Sequence, residues 1–299
     1  MNNNRANINS VLFIVNPISG NKPKESLMEF VSDVLEKKGI EFRIYSTTGE
    51  EDSEEICELI KAKPVDRLLV AGGDGTINLV ARIALEKQIP VGIFPQGSAN
   101  GLAENLNLPN TDEGLLEVAL GSNFLEMDVI KINDKVCTHI ADFGVNAELV
   151  QNFEDSSIRG KLGYILQSVP TLIKSEYPFQ FKFKIGDEEV EKEGSVLAIA
   201  NCKRYGTGAT INFDGKMDDG RFEVIILKHL NIIDLLKTII SEGQLEKDFA
   251  ETFEAQGVSI RCSEPTPFQI DGEYIGDLEE VEASLFENKL MVAVSEGDH

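Results

Sequence analysis

Gly72-Gly73-Asp74-Gly75-Thr76 puts bare backbone N–H groups and one carboxylate into a single short stretch. The run before it, Arg67–Ala71, is brief, apolar and β-prone, as a buried parallel strand would be. The run after it, Ile77 to Lys87, repeats apolar residues at helical spacing through Ile77, Val80, Ala81 and Ala84, and Thr76 can cap its first turn. Strand, glycine turn and helix in that order aim N–H groups and a helix N-terminus at one spot, which suits a phosphate. A lone carboxylate facing a polyphosphate would be repelled, so Asp74 implies a bridging Mg²⁺ or a hydroxyl to be oriented. A tight strand-to-helix turn without a ligand is the plainer alternative.

Two more loops of unusual composition fall at expected strand ends. Asn16-Pro17-Ile18-Ser19-Gly20-Asn21-Lys22 follows the strand Val11–Val15, and Pro95-Gln96-Gly97-Ser98-Ala99-Asn100 follows the strand Val91–Phe94. Ligands of open parallel sheets bind beyond the carboxyl ends of the strands, so small and polar loops there predict a shared nucleotide site. Neither GxxxxGK[ST] nor GxGxxG occurs. Phosphate then falls to the glycine-turn amides, to the hydroxyls of Ser98 and Thr76, and to Lys22 or another nearby cation.

The elements that must hold these loops alternate. Strands are expected at Val11–Val15, Glu41–Ser46, Arg67–Ala71 and Val91–Phe94. Helices are expected at Glu25–Lys38, Ser53–Lys61, Thr76–Lys87, Ala99–Leu106 and Asp112–Leu120. Such alternation means βαβ units and a parallel sheet with helices on both faces, an α/β domain over residues 1–123. From Phe124 onward the signals turn to β. Strands are expected at Phe124–Ile132, Lys135–Ala141, Phe179–Ile185, Ser195–Ala200, Phe222–Leu227, Val258–Cys262, Phe268–Ile270, Glu279–Phe286 and Lys289–Val294. Helices at Ser157–Lys174 and Asn231–Glu242 interrupt them. Residues 124–299 are therefore expected to form a mostly antiparallel β-sandwich domain, with the last strand free to return to the first domain.

Composition narrows the partners. Acidic residues number 51 against 28 basic ones, a formal net charge of −23, which argues against nucleic acid. ATP or an anionic bilayer would be approached against that field, so any site for them must be locally positive. The four cysteines and three histidines are scattered, with no CxxC, and give neither a zinc pattern nor a disulfide framework. No apolar stretch reaches the ~18 residues of a spanning helix, and Met1–Ser10 lacks a signal-peptide core, so a cytoplasmic protein is expected.

Taken together, Asn16-Pro17…Ser19-Gly20, the run Gly72–Asn78, and Pro95…Gly97-Ser98…Asn100 resemble the catalytic domain of the diacylglycerol kinase and sphingosine kinase superfamily. Asp142-Phe143-Gly144, Asp218-Asp219-Gly220 and Asp271-Gly272-Glu273 follow in the order that bacterial soluble lipid kinases show, so the resemblance covers nearly the whole chain. It implies an NAD kinase-like α/β domain, ATP and Mg²⁺ as cofactors, and transfer of the γ-phosphate to a lipid hydroxyl in phospholipid metabolism. By position it implies ATP contacts from Asn16, Thr47, Gly72, Gly73, Asp74, Gly75, Thr76, Ile77, Asn78, Leu79, Gly97, Ser98 and Asn100. It makes Glu273 the proton acceptor, with Asp271 beside it as a metal or hydroxyl partner and Asp74 serving the catalytic centre. It assigns a structural Mg²⁺ to the Asp219 carboxylate and to the backbone carbonyls of Lys216 and Arg221.

A carboxylate with an ordinary pKa of about 4 cannot strip an alcohol beforehand. In a loose phosphoryl-transfer transition state it need only orient the hydroxyl and take its proton late. Asp271-Gly272 also reads as a plain hairpin turn. Gly101 stands where many diacylglycerol kinases carry an aspartate, which brings the loop closer to the GSxNxLA form of sphingosine and ceramide kinases. Glu148 lies near the position where sphingosine kinases meet the substrate amine. Ser157–Lys174, with Arg159 and Lys161, and the basic spot Lys203-Arg204-Tyr205-Gly206 are candidates for peripheral contact with a membrane surface. Expected partners are ATP, a lipid substrate at that surface and a second copy as a homodimer. An NAD kinase-like enzyme and a non-catalytic nucleotide or lipid binder are the alternatives.

Overall fold

The computed structural model describes residues 8–20, 23–97, 100–154, 178–203, 212, 215–228 and 250–296. The expected helices Ser157–Lys174 and Asn231–Glu242, and with them Arg159 and Lys161, lie outside these residues, as do Asn21, Lys22, Ser98, Ala99 and Arg204-Tyr205-Gly206. The chain divides into two units. The first holds Met1–Met127 with Asn288–His299, and the second holds Asp128–Glu287.

The first unit is built on a six-stranded sheet. Strand β1 (Ser10–Val15) lies next to the edge strand β2 (Glu41–Ser46), parallel to it, with β3 (Arg67–Gly72) parallel on its other side. Next comes β4 (Val91–Pro95), parallel to β3. The carboxyl ends of all four strands therefore lie along one edge. Helices α1 (Glu25–Lys37), α2 (Asp52–Ala62) and α3 (Asp74–Lys87) are the crossovers, followed by α4 (Gly101–Asn105) and α5 (Asp112–Ala119).

Because β1 and β3 are covered on both faces, they read as unbroken apolar runs, and Val11–Val15 and Leu68–Ala71 are buried. Leu27, Val31 and Leu35, spaced four apart, are the buried stripe of α1, and each such side chain is worth roughly 1.5–3 kcal/mol in area removed from water. Thr111 caps α5, its hydroxyl accepting from Gly114 N at 3.2 Å.

Arg67 opens β3 yet is almost wholly buried. Its guanidinium donates to the carbonyls of Ala119 and Gly121 at the end of α5 and lies 4.7 Å from the centre of the Phe124 ring. Burial pulls its pKa down to about 10.

The stretch expected as one strand, Phe124–Ile132, is two strands in two sheets. β5 (Phe124–Met127) pairs antiparallel with β16 (Leu290–Ala293), which itself runs parallel to β4. β6 (Ile130–Ile132) belongs to the second unit, where it pairs with β7 (Lys135–Cys137). The expected strand Lys135–Ala141 is likewise broken. β7 ends at Cys137 and β8 (Ile140–Gly144) begins after Thr138-His139, whose backbone N–H groups turn to a side chain rather than to a strand partner.

The second unit is antiparallel. Its hydrogen-bonded order is β13 (Ala250–Ala255), β12 (Phe222–Leu227), β11 (Val196–Ala200), β8, β14 (Gly257–Ile270), β15 (Glu273–Leu285), β6 and β7. β14 is the pivot. Its first half pairs with β9 (Phe179–Ile185), itself paired with β10 (Glu188–Gly194), while its second half pairs with β8. Irregular register between Arg261 and Thr266, around Pro265 and Pro267, separates the halves.

The sheet folds over one core. Phe183 of β9 meets Phe253 of β13 with ring centres 5.2 Å apart, and Phe143 of β8 meets Phe181 at 6.3 Å and Phe268 at 4.4 Å. Phe179, Phe181 and Phe183 alternate inward as their spacing predicts. Helix α6 (Val145–Glu154) follows β8 and packs against β8, β14 and β15. No helix among the described residues is long and apolar enough to cross a membrane.

Candidate active site

At the carboxyl edge of the first sheet the loops are tied to one another by main chain. Thr47 N donates to Val15 O at 2.9 Å, Asn16 N to Ala71 O at 2.8 Å, and Gln96 N to Gly72 O at 2.8 Å. Thr47, Asn16, Gly72 and Gln96 thus follow one another in the order of their strands, β2-β1-β3-β4.

Side chains then lock the loops. Asn16 Nδ2 donates to Thr76 Oγ1 at 3.0 Å, which draws the Thr76 hydroxyl toward the first loop. The expected cap of α3 is therefore corrected: the helix begins at Asp74 with Gly73 as N-cap, and Thr76 sits buried within its first turn. The Asp74 carboxylate accepts N–H groups of Gly101 at 3.0 Å and Leu102 at 3.4 Å, the start of α4. Its charge thereby fastens the glycine turn to the fourth-strand loop.

Asn100, with φ of 57°, folds back so that its Oδ1 accepts Gly97 N at 2.7 Å and its Nδ2 donates to Gly97 O at 3.0 Å. Ser98 and Ala99 lie outside the described residues. Two glycines permit the approach. A Cβ on Gly97 would stand 2.5 Å from Gly73 Cα, and one on Gly20, whose φ is +62°, would stand 2.3 Å from Gln96 O. Gly75 faces open space, with nothing within 4 Å of a Cβ placed there.

Residues of the glycine motif divide by depth. Ile77 is buried and its N–H bonds Gly73 O at 3.0 Å, while Asn78 and Leu79 are half-buried. Asn78 Oδ1 is a buried oxygen with no hydrogen-bond partner among the described residues. An uncrowded Gly75 beside a helix N-terminus fits a phosphate-bearing ligand, whereas the Asn78 oxygen, an acceptor, suits a hydroxyl or N–H donor.

Sequence reasoning missed several supports of this edge. Lys24, at the start of α1, is buried and its Nζ donates to Gln96 Oε1 at 3.2 Å. Asp52 accepts N–H groups of Thr48 and Gly49, each at 2.8 Å, and the Tyr45 hydroxyl at 2.7 Å, so the turn after Thr47 is shaped by one carboxylate. The one sequence signal for either was position, since both lie close after a strand.

In the second unit, Asp271-Gly272 is the two-residue tip of the β14–β15 hairpin, with Ile270 paired to Glu273. φ is 48° at Asp271 and 86° at Gly272, and positive φ at both central positions is the type I′ signature. The plain turn reading is thus correct as geometry. The Asp271 side chain is nevertheless buried. It accepts Thr138 N at 2.6 Å, Thr138 Oγ1 at 2.9 Å, His139 N at 3.0 Å and Ile140 N at 2.9 Å, and His139 Nδ1 lies 2.6 Å from its Oδ1.

Burial alone would raise this carboxyl. The His139 charge and hydrogen bond, with the backbone N–H groups of Ile140 and Thr138, outweigh it and hold the carboxyl well below its usual range. Burial first, and then the Asp271 charge, push the neighbouring Cys137 and Cys202 thiols up. Glu273, the next carboxylate, is exposed at the start of β15.

The loop 216–221 presents Lys216, Asp219 and Arg221 at the surface. Asp219 Oδ1 accepts Arg221 N at 3.1 Å, and the Arg221 guanidinium pairs with Glu254. Asp128 Oδ2 accepts Gly220 N at 2.6 Å and ties the loop to β6. Carboxylate and carbonyl oxygens are donors that suit Mg²⁺, although no group of three or more His, Cys, Asp or Glu among the described residues is arranged to hold a metal. Glu148 is half-buried on α6, and its charge reaches Tyr274. Lys203 is exposed.

Comparison with known proteins bears on both units. Residues 10–132 match the family described as diacylglycerol kinase catalytic domain, and residues 139–293 match the YegS C-terminal NAD kinase beta sandwich-like domain. The chain is 28% identical to a diacylglycerol kinase of Staphylococcus aureus over 283 residues, covering 89% of this chain and 86% of the relative. It is 26% identical to one of Staphylococcus haemolyticus, covering 89% and 82%.

Among solved structures, a diacylglycerol kinase from Bacillus anthracis superposes with a TM-score of 0.72 at 19% identity, covering 97% of this chain and 98% of that one. An NAD kinase from Archaeoglobus fulgidus in complex with ATP superposes with a TM-score of 0.55 at 12% identity, covering 96% and 94%. These two likenesses show the fold: an α/β unit followed by an antiparallel β unit.

Proposed function

The chain belongs to the diacylglycerol kinase family of lipid kinases, and from that premise we propose that it transfers the γ-phosphate of ATP to the hydroxyl of a lipid, with Mg²⁺. The glycine turn and the N-terminus of α3 take the phosphates, with Thr47, Asn16, Asn100 and Ser98 shaping the nucleotide site around them. Bound Mg²⁺ supplies charge neutralisation at the phosphate oxygens. Asp74 holds two of the phosphate loops in register, so that no reorganisation is needed when charge develops.

Glu273 orients the attacking hydroxyl and accepts its proton late in the transfer. Asp271 holds Glu273's turn. The structural metal, where bound, takes Asp219 and the carbonyls of Lys216 and Arg221. The lipid is met at a membrane surface by peripheral contact.

The observation that carries the reading is the backbone closure of the phosphate loops, in which a Cβ on Gly97 would stand 2.5 Å from Gly73 Cα while Gly75 is left open. A labelled γ-phosphate assay over diacylglycerol, sphingoid bases, ceramide, monoacylglycerol and undecaprenol tests it, with an NAD arm alongside. Label in an extracted lipid supports the proposal. Formation of NADP, or ATP binding without transfer to any acceptor, overturns it.

A further inference from the structure

The tip of a type I′ hairpin is ordinarily solvated, and its Asp-Gly serves only the backbone. Here the tip is riveted. Asp271 N donates to Ile140 O at 2.8 Å, and the Asp271 carboxylate gathers the main-chain N–H groups of residues 138–140 and the Thr138 hydroxyl. These donors lie in the break between β7 and β8, about 130 positions away along the chain.

His139 contributes a second contact to the same carboxylate, Nδ1 to Oδ1 at 2.6 Å, from a side chain that is itself buried. A second handle grips the next residue: Gly272 N donates to Gln269 Oε1 at 2.7 Å, and Gln269 Nε2 donates to Asp142 Oδ2 at 2.5 Å. Asn146 Nδ2, on the first turn of α6, donates to that same oxygen at 2.7 Å. Two buried polar relays therefore converge on two adjacent turn residues, and the next side chain along is the exposed Glu273.

A turn of this type closes unaided with Asp-Gly, so the hairpin itself does not call for such burial. Desolvating a carboxylate is costly, and it is retained where it fixes a geometry. We infer that His139 is a positioning residue of the kinase: acting through Asp271, its imidazole sets the direction in which Glu273 leaves the hairpin. Gln269, with Asp142 behind it, sets the other end of the same turn. The inference rests on the proposal that Glu273 accepts the substrate proton, and it adds side chains that touch no substrate.

The test compares kcat, KM for the lipid and ATP affinity in wild type, Glu273→Gln, His139→Ala and His139→Asn, each confirmed as folded by its unfolding transition. Asn keeps a side-chain N–H near the position of Nδ1, whereas Ala removes it. The inference expects kcat of His139→Ala to fall on the order of 10- to 100-fold, the scale at which a misplaced catalytic group is felt. It expects an unchanged Kd for ATP and a kcat for His139→Asn near that of wild type.

Wild-type kcat in His139→Ala, alongside an inactive Glu273→Gln, overturns the inference and leaves the Glu273 reading standing. A His139→Asn no better than His139→Ala overturns it as well. Full activity in Glu273→Gln overturns the underlying reading instead. Where His139→Ala does not fold, His139→Gln, which displaces the N–H by one bond, serves in its place: lowered kcat supports the inference, and wild-type kcat overturns it.

Discussion

The Asp74 carboxylate accepts the N–H of Gly101, 27 positions further along the chain, at 3.0 Å. This one contact joins the glycine turn at the end of β3 to the loop that follows β4. It also explains how a carboxylate can stand among the amides proposed to bind phosphate, since its charge is met by backbone donors at the start of α4.

Asp74→Ala should separate those loops. Losing a charge-assisted hydrogen bond costs about 1.5–3 kcal/mol, and the loops it aligns are those proposed to hold the phosphates. We expect a lower unfolding midpoint, ATP affinity weakened at least tenfold, and kcat reduced further. Thermal unfolding and ATP titration check the first two. Wild-type ATP affinity in a folded variant would show that the latch has no part in the site.

Gly75→Ala and Gly97→Ala make a contrasting pair. A methyl on Gly97 meets backbone at Gly73, and neither strand end can yield cheaply, so a loss of about 1–3 kcal/mol is expected. A methyl on Gly75 meets nothing and removes a glycine from the first turn of α3, so stability should hold or rise by up to about 1 kcal/mol. If phosphate occupies that open space, ATP binding must nevertheless weaken in Gly75→Ala. Urea unfolding combined with ATP titration separates the two effects.

Asp271→Asn bears on pH. The folded-state carboxyl is held well below its unfolded value of about 4. A depressed carboxyl contributes stability that is present above the unfolded pKa and is lost as pH falls through the folded one. At pH 7 the variant should lose about 1.5–3 kcal/mol or more, the scale of hydrogen bonds to a charged group, since several donors converge on this carboxylate. The gap to wild type should narrow as pH drops below about 4. Equal stabilities at pH 7 would contradict this assignment.

Arg67→Ala leaves the carbonyls of Ala119 and Gly121 without their guanidinium and exposes the space above Phe124. A cost of about 3 kcal/mol follows from the lost charged hydrogen bonds. Thermal unfolding reads it. Because Arg67 stands at the opposite end of β3 from the glycine turn, ATP affinity in the folded variant should match wild type.

The α/β unit was legible because its signals are local. Buried parallel strands read as apolar runs, α1 shows its stripe at Leu27, Val31 and Leu35, and glycine turns mark the carboxyl edge. Phe179–Ile185 was legible through strict alternation. What escaped depends on contacts distant in sequence. Phe124–Ile132 carries one uninterrupted β pattern, and only pairing with β16 on one side and with β7 and β15 on the other divides it. The strand over Lys135–Ala141 breaks because Asp271 captures the N–H groups of Thr138 and His139, which no local propensity encodes. β10, nearly all charged, shows no apolar face. In the site, motif residues were visible as types, but the burial of Asp271 and Lys24 was not, since both types are mostly exposed elsewhere.

The most direct test measures labelled phosphate transfer from ATP to the accepted lipid by wild type and Glu273→Gln, with ATP affinity determined on the same samples. The account predicts transfer at least 100-fold slower in Glu273→Gln, at unchanged ATP affinity, which is the upper range for loss of one acid–base group. Transfer at the wild-type rate by folded Glu273→Gln would contradict it.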